Sequence, residues 1–476
     1  MTGPYQPTWD SLAAHGIPEW FRSAKFGIYT HWGVYSVPAC GPNATWYAYN
    51  MYRGGTEQHR HHVQVYGGPE KFGYKDFIPR FTGEKFDPDA WADLFQRAGA
   101  RFAGPVGEHH DGFCMWNTRH SEWNASRMGP HRDVVGELAQ AVRSRGLKYM
   151  VALHHAENWW FFPHWRKEFD TSDARYEGLY GEPHNPNGPT GTGWFFDQDP
   201  PSRKFLETWK AKTLEVIDNY HPDMLWFDFG LGAVPERYRQ AVLAHYYNQE
   251  ARWGRPVVVT YKGHDLPPNV AVVDLELGRE GDLTYHQWIT DSTVDDGQGW
   301  GYLKDTGYKT VTNLVHYLVD NVSKNGHLLL NVGPRPDGAI PEQAVDILEG
   351  IGRWLEVNGE AVYGTTPWVV AGEGPTRLAK SGPFNEDVKP QYTPQDIRYT
   401  TKDDTLYAIC LGWPGESATL GSLKVLRDGE VESMTLLGAD APLQWNLDAG
   451  GLTVRMPPCR PCEHAYVFKI VRRMRP

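Results

Sequence analysis

Eight short apolar segments alternate with amphipathic helical stretches, and after about residue 360 the pattern changes to short alternating segments joined by turns. Together these predict an α/β protein: an irregular (β/α)8 TIM-like barrel followed by a small C-terminal antiparallel β-sandwich. The expected division is a barrel over residues 1–365 and a sandwich over 366–476. A chain of 476 residues is long enough for one large domain and a small one.

The strands are read in KFGIYTHWG (25–33), RFAGPVGEHHDG (101–112), LKYMVALHH (147–155), DMLWFDFG (223–230), PVVVTYKG (256–263), VAVVDLELG (270–278), YHQWITDS (285–292) and HLLLNVGP (327–334). Several are continuous apolar runs, as strands covered on both faces require. Helical spacing of apolar residues marks 88–99, 132–146, 202–220, 236–248 and 310–326. A last helix, 341–359, has Pro in its first turn and Gly at its end, the asymmetry that helix termini favour. The links after the fifth and sixth strands are too short for full helices, so the barrel is expected to be irregular there. Beyond residue 360, RYTTKDDTLYAICLGW, LKVLRDGEVESMTLLG, LQWNLDAGGLTVRMP and EHAYVFKIVRR read as antiparallel strands.

Composition narrows the function. The formal net charge is −11 and no basic stripe interrupts it, which argues against a nucleic-acid partner. No stretch of 18 or more apolar residues offers a membrane span, so no membrane partner is expected. The N-terminus lacks a basic segment followed by an apolar one, so no signal peptide is visible and a cytoplasmic location is expected. Cys459 and Cys462 form a C-x-x-C without the second pair that zinc needs, and the five cysteines are read as reduced structural thiols. With 20 Trp and 25 Tyr, aromatic residues either fill a large core or stack on a flat ligand such as a sugar. The His-rich stretch Gln58-His59-Arg60-His61-His62 reads as a solvated surface turn, and residues 170–203 as a long excursion on the upper face of the barrel.

Barrel active sites sit where strands end at their C-terminal face. The tips carry His31 and Trp32; Glu108, His109, His110 and Asp111; His154, His155, Glu157 and Asn158; Trp226 and Asp228; Tyr261 and Lys262; Glu276; and Asp291. Such a ring of polar and aromatic groups above an apolar barrel marks a site. Two chemistries compete for it. The histidines could bind metal, but the first strand offers only His31 before Trp-Gly, without the H-x-H common in barrel metal hydrolases. Within His109-His110 and His154-His155, strand alternation is expected to turn one ring toward the barrel centre and the other outward. No metal is expected. The other chemistry needs two carboxyl groups, as glycoside hydrolysis does: an anion on one face of the sugar and a proton donor to the leaving oxygen. Asp228 and Glu276, on different strands converging on one mouth, suit those roles.

At these residues the chain resembles the α-L-fucosidases of glycoside hydrolase family 29, almost end to end. The resemblance is carried by WFRSAKFGIYTHWGVYSVP (20–38), EHHDGFCMWNTRHSEWN (108–124), GPHRDVVGELAQAVRSRGLK (129–148), HPDMLWFD (221–228), SKNGHLLLNVGPRPDGAIP (323–341) and IGRWLEVNGEAVYGTTPW (351–368). It implies an exo-acting, retaining enzyme with a covalent fucosyl-enzyme intermediate and no cofactor. It further implies Asp228 as nucleophile and Glu276, on a more variable stretch, as acid/base. His31, His109 and His110 would contact the sugar, Trp226 would stack on it, and Arg252 of the Arg-Trp-Gly motif would reach it near the nucleophile.

Three departures from the family pattern stand out. Thr45-Trp46-Tyr47 occupies the place of Glu-Trp-Tyr, which keeps Trp46 as a substrate contact but removes a carboxylate. Glu108 replaces a common Lys, and HHAENWWFFPHW (154–165) replaces a tyrosine-rich tip. Glu108, His154 and Glu157 could supply the missing hydroxyl acceptor. The expected substrate is a fucosylated glycan or glycoside. The alternatives are the same scaffold acting on a related sugar such as an α-L-galactoside, or a carbohydrate-binding pseudoenzyme.

Overall fold

The computed structural model describes residues 3–184, 200–297, 299–378, 380–386, 390–439 and 442–473. The eight strands are β1 (Phe26–Thr30), β2 (Phe102–Glu108), β3 (Lys148–Leu153), β4 (Met224–Phe227), β5 (Val258–Lys262), β6 (Val272–Asp274), β7 (Trp288–Thr293) and β8 (Gly326–Val332). They close into one parallel barrel in sequence order, with β1 hydrogen-bonded to both β2 and β8. Their apolar runs are explained by two separate layers. Met224 and Trp226 point inward to pack with Tyr29, Met150 and Leu329, whereas Leu225 and Phe227 face the surrounding helices.

Those helices begin where local chemistry starts them. Asp87, Asp133, Ser202 and Thr310 each accept a hydrogen bond from a backbone N–H in the first turn of Pro88–Arg97, Val134–Ser144, Arg203–Tyr220 and Val311–Ser323. Helices Glu236–Trp253 and Glu342–Asn358 follow β4 and β8. The described residues between β5 and β6, and between β6 and β7, form no helix, as the short links foretold.

The C-terminal strands are β9 (Thr366–Glu373), β10 (Ile397–Lys402), β11 (Thr405–Cys410), β12 (Ser417–Leu420), β13 (Val431–Leu436), β14 (Trp445–Asp448), β15 (Gly451–Arg455) and β16 (Tyr466–Arg472). They make a five-stranded antiparallel sheet, β13-β16-β11-β10-β9, and a three-stranded one, β12-β15-β14. Leu406, Phe468 and Ile470 of the first share a core with Leu420, Leu452 and Val454 of the second, which is a sandwich.

One local expectation fails. The His-rich stretch is not a solvated turn: it lies in the helix Glu57–Tyr66, with Gln58 and His62 buried and His62 Nε2 2.8 Å from the Phe72 carbonyl. A neighbouring aromatic cluster of Tyr47, Tyr66, Phe72 and Phe77 takes up the imidazole and makes that face apolar. Of the excursion over 170–203, residues 170–184 form short helical turns and 185–199 lie outside the described residues. Among the described residues no helix is long and apolar enough to cross a membrane.

Candidate active site

Asp228 follows β4 by one residue, in step with the inward-facing Met224 and Trp226, so strand alternation carries its carboxyl over the barrel mouth. Its N–H donates to the Leu153 carbonyl at 3.3 Å, which extends the β3–β4 ladder to this position. Asp228 Oδ2 lies 3.3 Å from His110 Nε2 and 3.8 Å from His154 Nε2. Burial opposes the charge on Asp228, but the hydrogen bond and charge of His110, with Lys262 beyond, outweigh it and hold the carboxyl below its ordinary range.

Opposite stands Lys262 at the tip of β5, a fully buried ammonium. It lies 2.6 Å from Asp291 Oδ1, 3.1 Å from Glu276 Oε2 and 3.3 Å from Asp274 Oδ1. Burial disfavours its charge, yet three carboxyls surround it and keep it protonated. Asp291 also accepts from Tyr29 Oη at 2.9 Å, and Asp274 from Trp226 Nε1 at 2.7 Å. One ammonium does not neutralise three buried carboxylates, so protons stay on some of them. Glu276 is one: burial, then the charges of Asp291 and Asp228, push it up to about 8 against the pull of Lys262. The site thus holds one carboxyl poised to be ionised and another poised to be protonated.

Histidines line the remaining wall. His31 Nδ1 donates to Asn331 Oδ1 at 2.8 Å, which leaves its Nε2 facing His154 Nε2 at 3.3 Å. The rings of His109 and His154 stack with centroids 4.6 Å apart. Burial drives His31 down to about 4 and His109 and His154 well below the ordinary value, so these three are neutral hydrogen-bonding groups. His110 is the exception. Burial lowers it, but Glu157 at 3.3 Å and Asp228 at 3.3 Å raise it to about 9. Glu157 is itself raised to about 7 by burial and by the charge of Asp228, with His110 opposing. His31, His109 and His154 offer ring nitrogens all within 4.8 Å of one another, a donor set able to hold a transition-metal ion as well as sugar hydroxyls.

A family model for alpha-L-fucosidase matches residues 1–360, and one for the alpha-L-fucosidase C-terminal domain matches residues 390–471. The chain belongs to the α-L-fucosidase family. Similar members include the alpha-L-fucosidase of Branchiostoma floridae, 32% identical over 98% of this chain and 95% of that protein. The plasma alpha-L-fucosidase of Homo sapiens is 33% identical over 95% of this chain and 88% of that one. Among solved structures, a Thermotoga maritima alpha-fucosidase in complex with fucose is 30% identical, with a TM-score of 0.77 over 98% of this chain and 100% of that chain.

Within this α-L-fucosidase family fold, Asp228, Glu276, His31, His109, His110, His154 and Trp226 are brought together. Trp226 is wholly buried, its ring 5.0 Å from that of His154, and forms the floor of the site. Trp46 sits at the rim, its ring 5.5 Å from that of His110.

Two expected contacts are displaced. Arg252 is exposed near the C-terminus of the helix Glu236–Trp253, which has run back to the opposite end of the barrel before β5 begins. It therefore cannot reach the sugar. The cation whose charge acts on Asp228 is Lys262 instead. Glu108 is turned outward by a register shift in the β2–β3 pairing between Val106 and Glu108. Its carboxylate is held by Lys212 Nζ at 2.7 Å and by Cys114 Sγ, behind the barrel wall.

The two histidine pairs behave differently. His155 packs outward against Trp209 and Thr213, as alternation requires. His109 and His110 both enter the site, because β2 has already ended and the chain turns there through Gly112 at φ +80°. At that glycine a Cβ would lie 1.9 Å from the Leu179 carbonyl oxygen, so no side chain is accommodated.

Lys262, Asp291 and Glu157 were visible as strand-tip residues, whereas Asn331 required knowing that β8 ends beside β1. Trp300, whose ring lies 5.4 Å from that of His31, arrives on a loop with no local signal.

Proposed function

We propose that this chain is an exo-acting, retaining α-L-fucosidase that removes terminal α-L-fucosyl residues from glycans or glycosides, with Asp228 as nucleophile and Glu276 as acid/base. The observation that carries the reading is the divergence of those two carboxyls around Lys262 and His110: Asp228 is stabilised as an anion while Glu276 retains its proton. Asp228 attacks the anomeric carbon as Glu276 gives its proton to the departing glycosidic oxygen. The ionised Glu276 then takes a proton from water, which displaces Asp228 from the anomeric carbon and restores both groups. The developing positive charge on the sugar faces Asp228, and the charged His110 and Lys262 receive that carboxylate when it is released. Neutral His31, His109 and His154, with Trp46 at the rim, orient sugar hydroxyls; no cofactor takes part.

Following the first-formed sugar by proton NMR during hydrolysis of an aryl α-L-fucoside tests the pathway. The α anomer is expected first, and initial release of β-fucose would overturn retention. Action on an α-L-galactoside is a second reading, favoured by Thr45 at the position of a family carboxylate and by the His110-bound Glu157. A panel of aryl glycosides separates the two. Sugar binding without turnover would instead support a pseudoenzyme.

The same proposal divides the chain into a catalytic unit, 1–365, and a C-terminal unit, 366–476. The matched family spans and the start of antiparallel pairing at Thr366 support that boundary. A cytoplasmic setting belongs to it too, with Cys40, Cys114, Cys410, Cys459 and Cys462 as free thiols.

A further inference from the structure

The segment joining β9 to β10 returns to the mouth of the barrel and grips the turn that carries Glu276. Phe384 N–H donates to the Glu276 carbonyl at 2.7 Å, and Asn385 and Glu386 N–H both donate to the Leu277 carbonyl, at 2.9 and 2.8 Å. Arg279 and Gly382 exchange reciprocal backbone bonds of 3.2 and 2.9 Å. The Glu386 carboxylate is anchored on the barrel by Lys309 Nζ at 2.6 Å and Ser292 Oγ at 2.9 Å. This clamp displays a large apolar side chain to solvent. Phe384 is 54% exposed and sits at φ +54°, a left-handed conformation that bulky residues rarely adopt. Its ring runs nearly parallel to that of Phe229, with centroids 6.0 Å apart and planes 16° apart. Phe229 is the residue after Asp228, and Phe384 is hydrogen-bonded to Glu276 itself, so the two rings span the rim between the proposed nucleophile and the proposed proton donor.

We propose that Phe384 and Phe229 form the binding platform for the leaving group, selecting aglycones with a flat apolar face: an aromatic ring or the apolar face of a pyranose. This platform presupposes Glu276 as the acid. A proton donor must face the glycosidic oxygen, so the aglycone lies on the Glu276 side of the sugar, where Phe384 is held. The ring is more than half exposed although it is held in a strained backbone conformation, and a ligand ring stacked on its open face gains about 0.5–1.5 kcal/mol.

The test compares three substrates in the full chain. Phenyl α-L-fucoside has a ring and needs the acid; 2,4-dinitrophenyl α-L-fucoside has a ring but an activated leaving group; α-L-fucosyl fluoride has neither need. Phe384→Ala is expected to lower kcat/KM about 10-fold on both ring-bearing substrates, the upper end of an aromatic stacking contribution, while the fluoride changes by less than about two-fold. Phe384→Trp should retain the wild-type order of preference. A loss confined to the phenyl substrate would overturn the proposal, since Phe384 would then only position Glu276. An equal loss on all three would overturn it by showing a structural defect, and no loss at all would show that no ring rests there. A wild-type protein inert toward all three would instead sink the fucosidase reading on which the platform depends.

Discussion

His110 Nε2 stands 3.3 Å from Asp228 Oδ2 and equally 3.3 Å from Glu157 Oε2, so one buried imidazole joins two carboxyls that differ in their tendency to ionise. Asp228 is held below the ordinary carboxylate range and Glu157 is raised to about 7. A buried imidazolium stabilises the neighbouring anion it bonds best, and the second carboxyl then bears the cost of a like charge nearby.

Replacing Asp228, the proposed nucleophile, gives the most direct prediction. Asp228→Gly should abolish hydrolysis of an aryl α-L-fucoside with the fold intact. Added azide should enter the space and restore turnover with β-fucosyl azide as product. Failure of rescue in a folded variant would argue against Asp228.

Glu276 and Glu157 both favour the protonated state, and leaving-group dependence separates them. Glu276→Ala should slow substrates with poor leaving groups by about 10²–10⁴-fold and spare 2,4-dinitrophenyl α-L-fucoside at the first step. Glu157→Ala should lower the rate on all leaving groups alike, because it releases His110 from one of its two carboxyl partners. If the two variants exchange behaviours, Glu157 is the acid.

The pH profile of kcat/KM should be a bell. Its acid limb belongs to Asp228 and lies below the ordinary carboxylate value; its alkaline limb belongs to Glu276, near pH 8. Lys262 lowers both carboxyls, so Lys262→Met should move both limbs toward higher pH. The same change strands Asp274 and Asp291 without their cation, and a loss of about 3–5 kcal/mol in stability is expected from breaking a buried pair. Unmoved limbs in a folded variant would exclude Lys262 from this tuning.

Stability carries its own sign. Glu276 has its folded-state pKa raised above the unfolded value, so the folded protein holds the proton longer. The stability this gives is present below the unfolded value of 4.5 and is lost as pH rises toward 8. Glu276→Gln cannot ionise and should therefore raise Tm relative to wild type more at pH 9 than at pH 5. A constant difference between the two proteins across that range would contradict the shift.

The three neutral histidines predict an inhibitor. Zn²⁺ or Ni²⁺ should inhibit competitively with substrate by taking the nitrogens of His31, His109 and His154, whereas chelators should leave activity unchanged. Activity that falls on chelation would revive a metal-dependent mechanism.

Much of this is legible in the sequence. Strand alternation along Met224, Trp226 and Asp228 already aims the carboxyl at the mouth, and the tip residues Lys262, Glu276 and Asp291 mark its surroundings. The sequence reading also offered Glu108 to the sugar as a strand-tip residue, but a bulge in β2–β3 turns it outward onto Lys212. Strand alternation assigned His109 and His110 to opposite faces, because nothing local showed that β2 stops at Glu108. Arg252 was carried to the site by its motif, and the helix Glu236–Trp253 leaves it at the far end of the barrel.

By itself the sequence determined the barrel, its missing helices, the C-terminal sheets and the place of Asp228 at a strand tip, because apolar periodicity and turn chemistry act over a few residues. Only the tertiary structure decided which charges meet. Lys262 of β5 gathers Asp274 and Glu276 from the end of β6 and Asp291 from β7, and Phe384 reaches Glu276 from more than a hundred residues away along the chain. The protonation states that set Asp228 apart from Glu276 arise from those long-range encounters. Burial and neighbouring charge belong to the folded arrangement and to no residue alone.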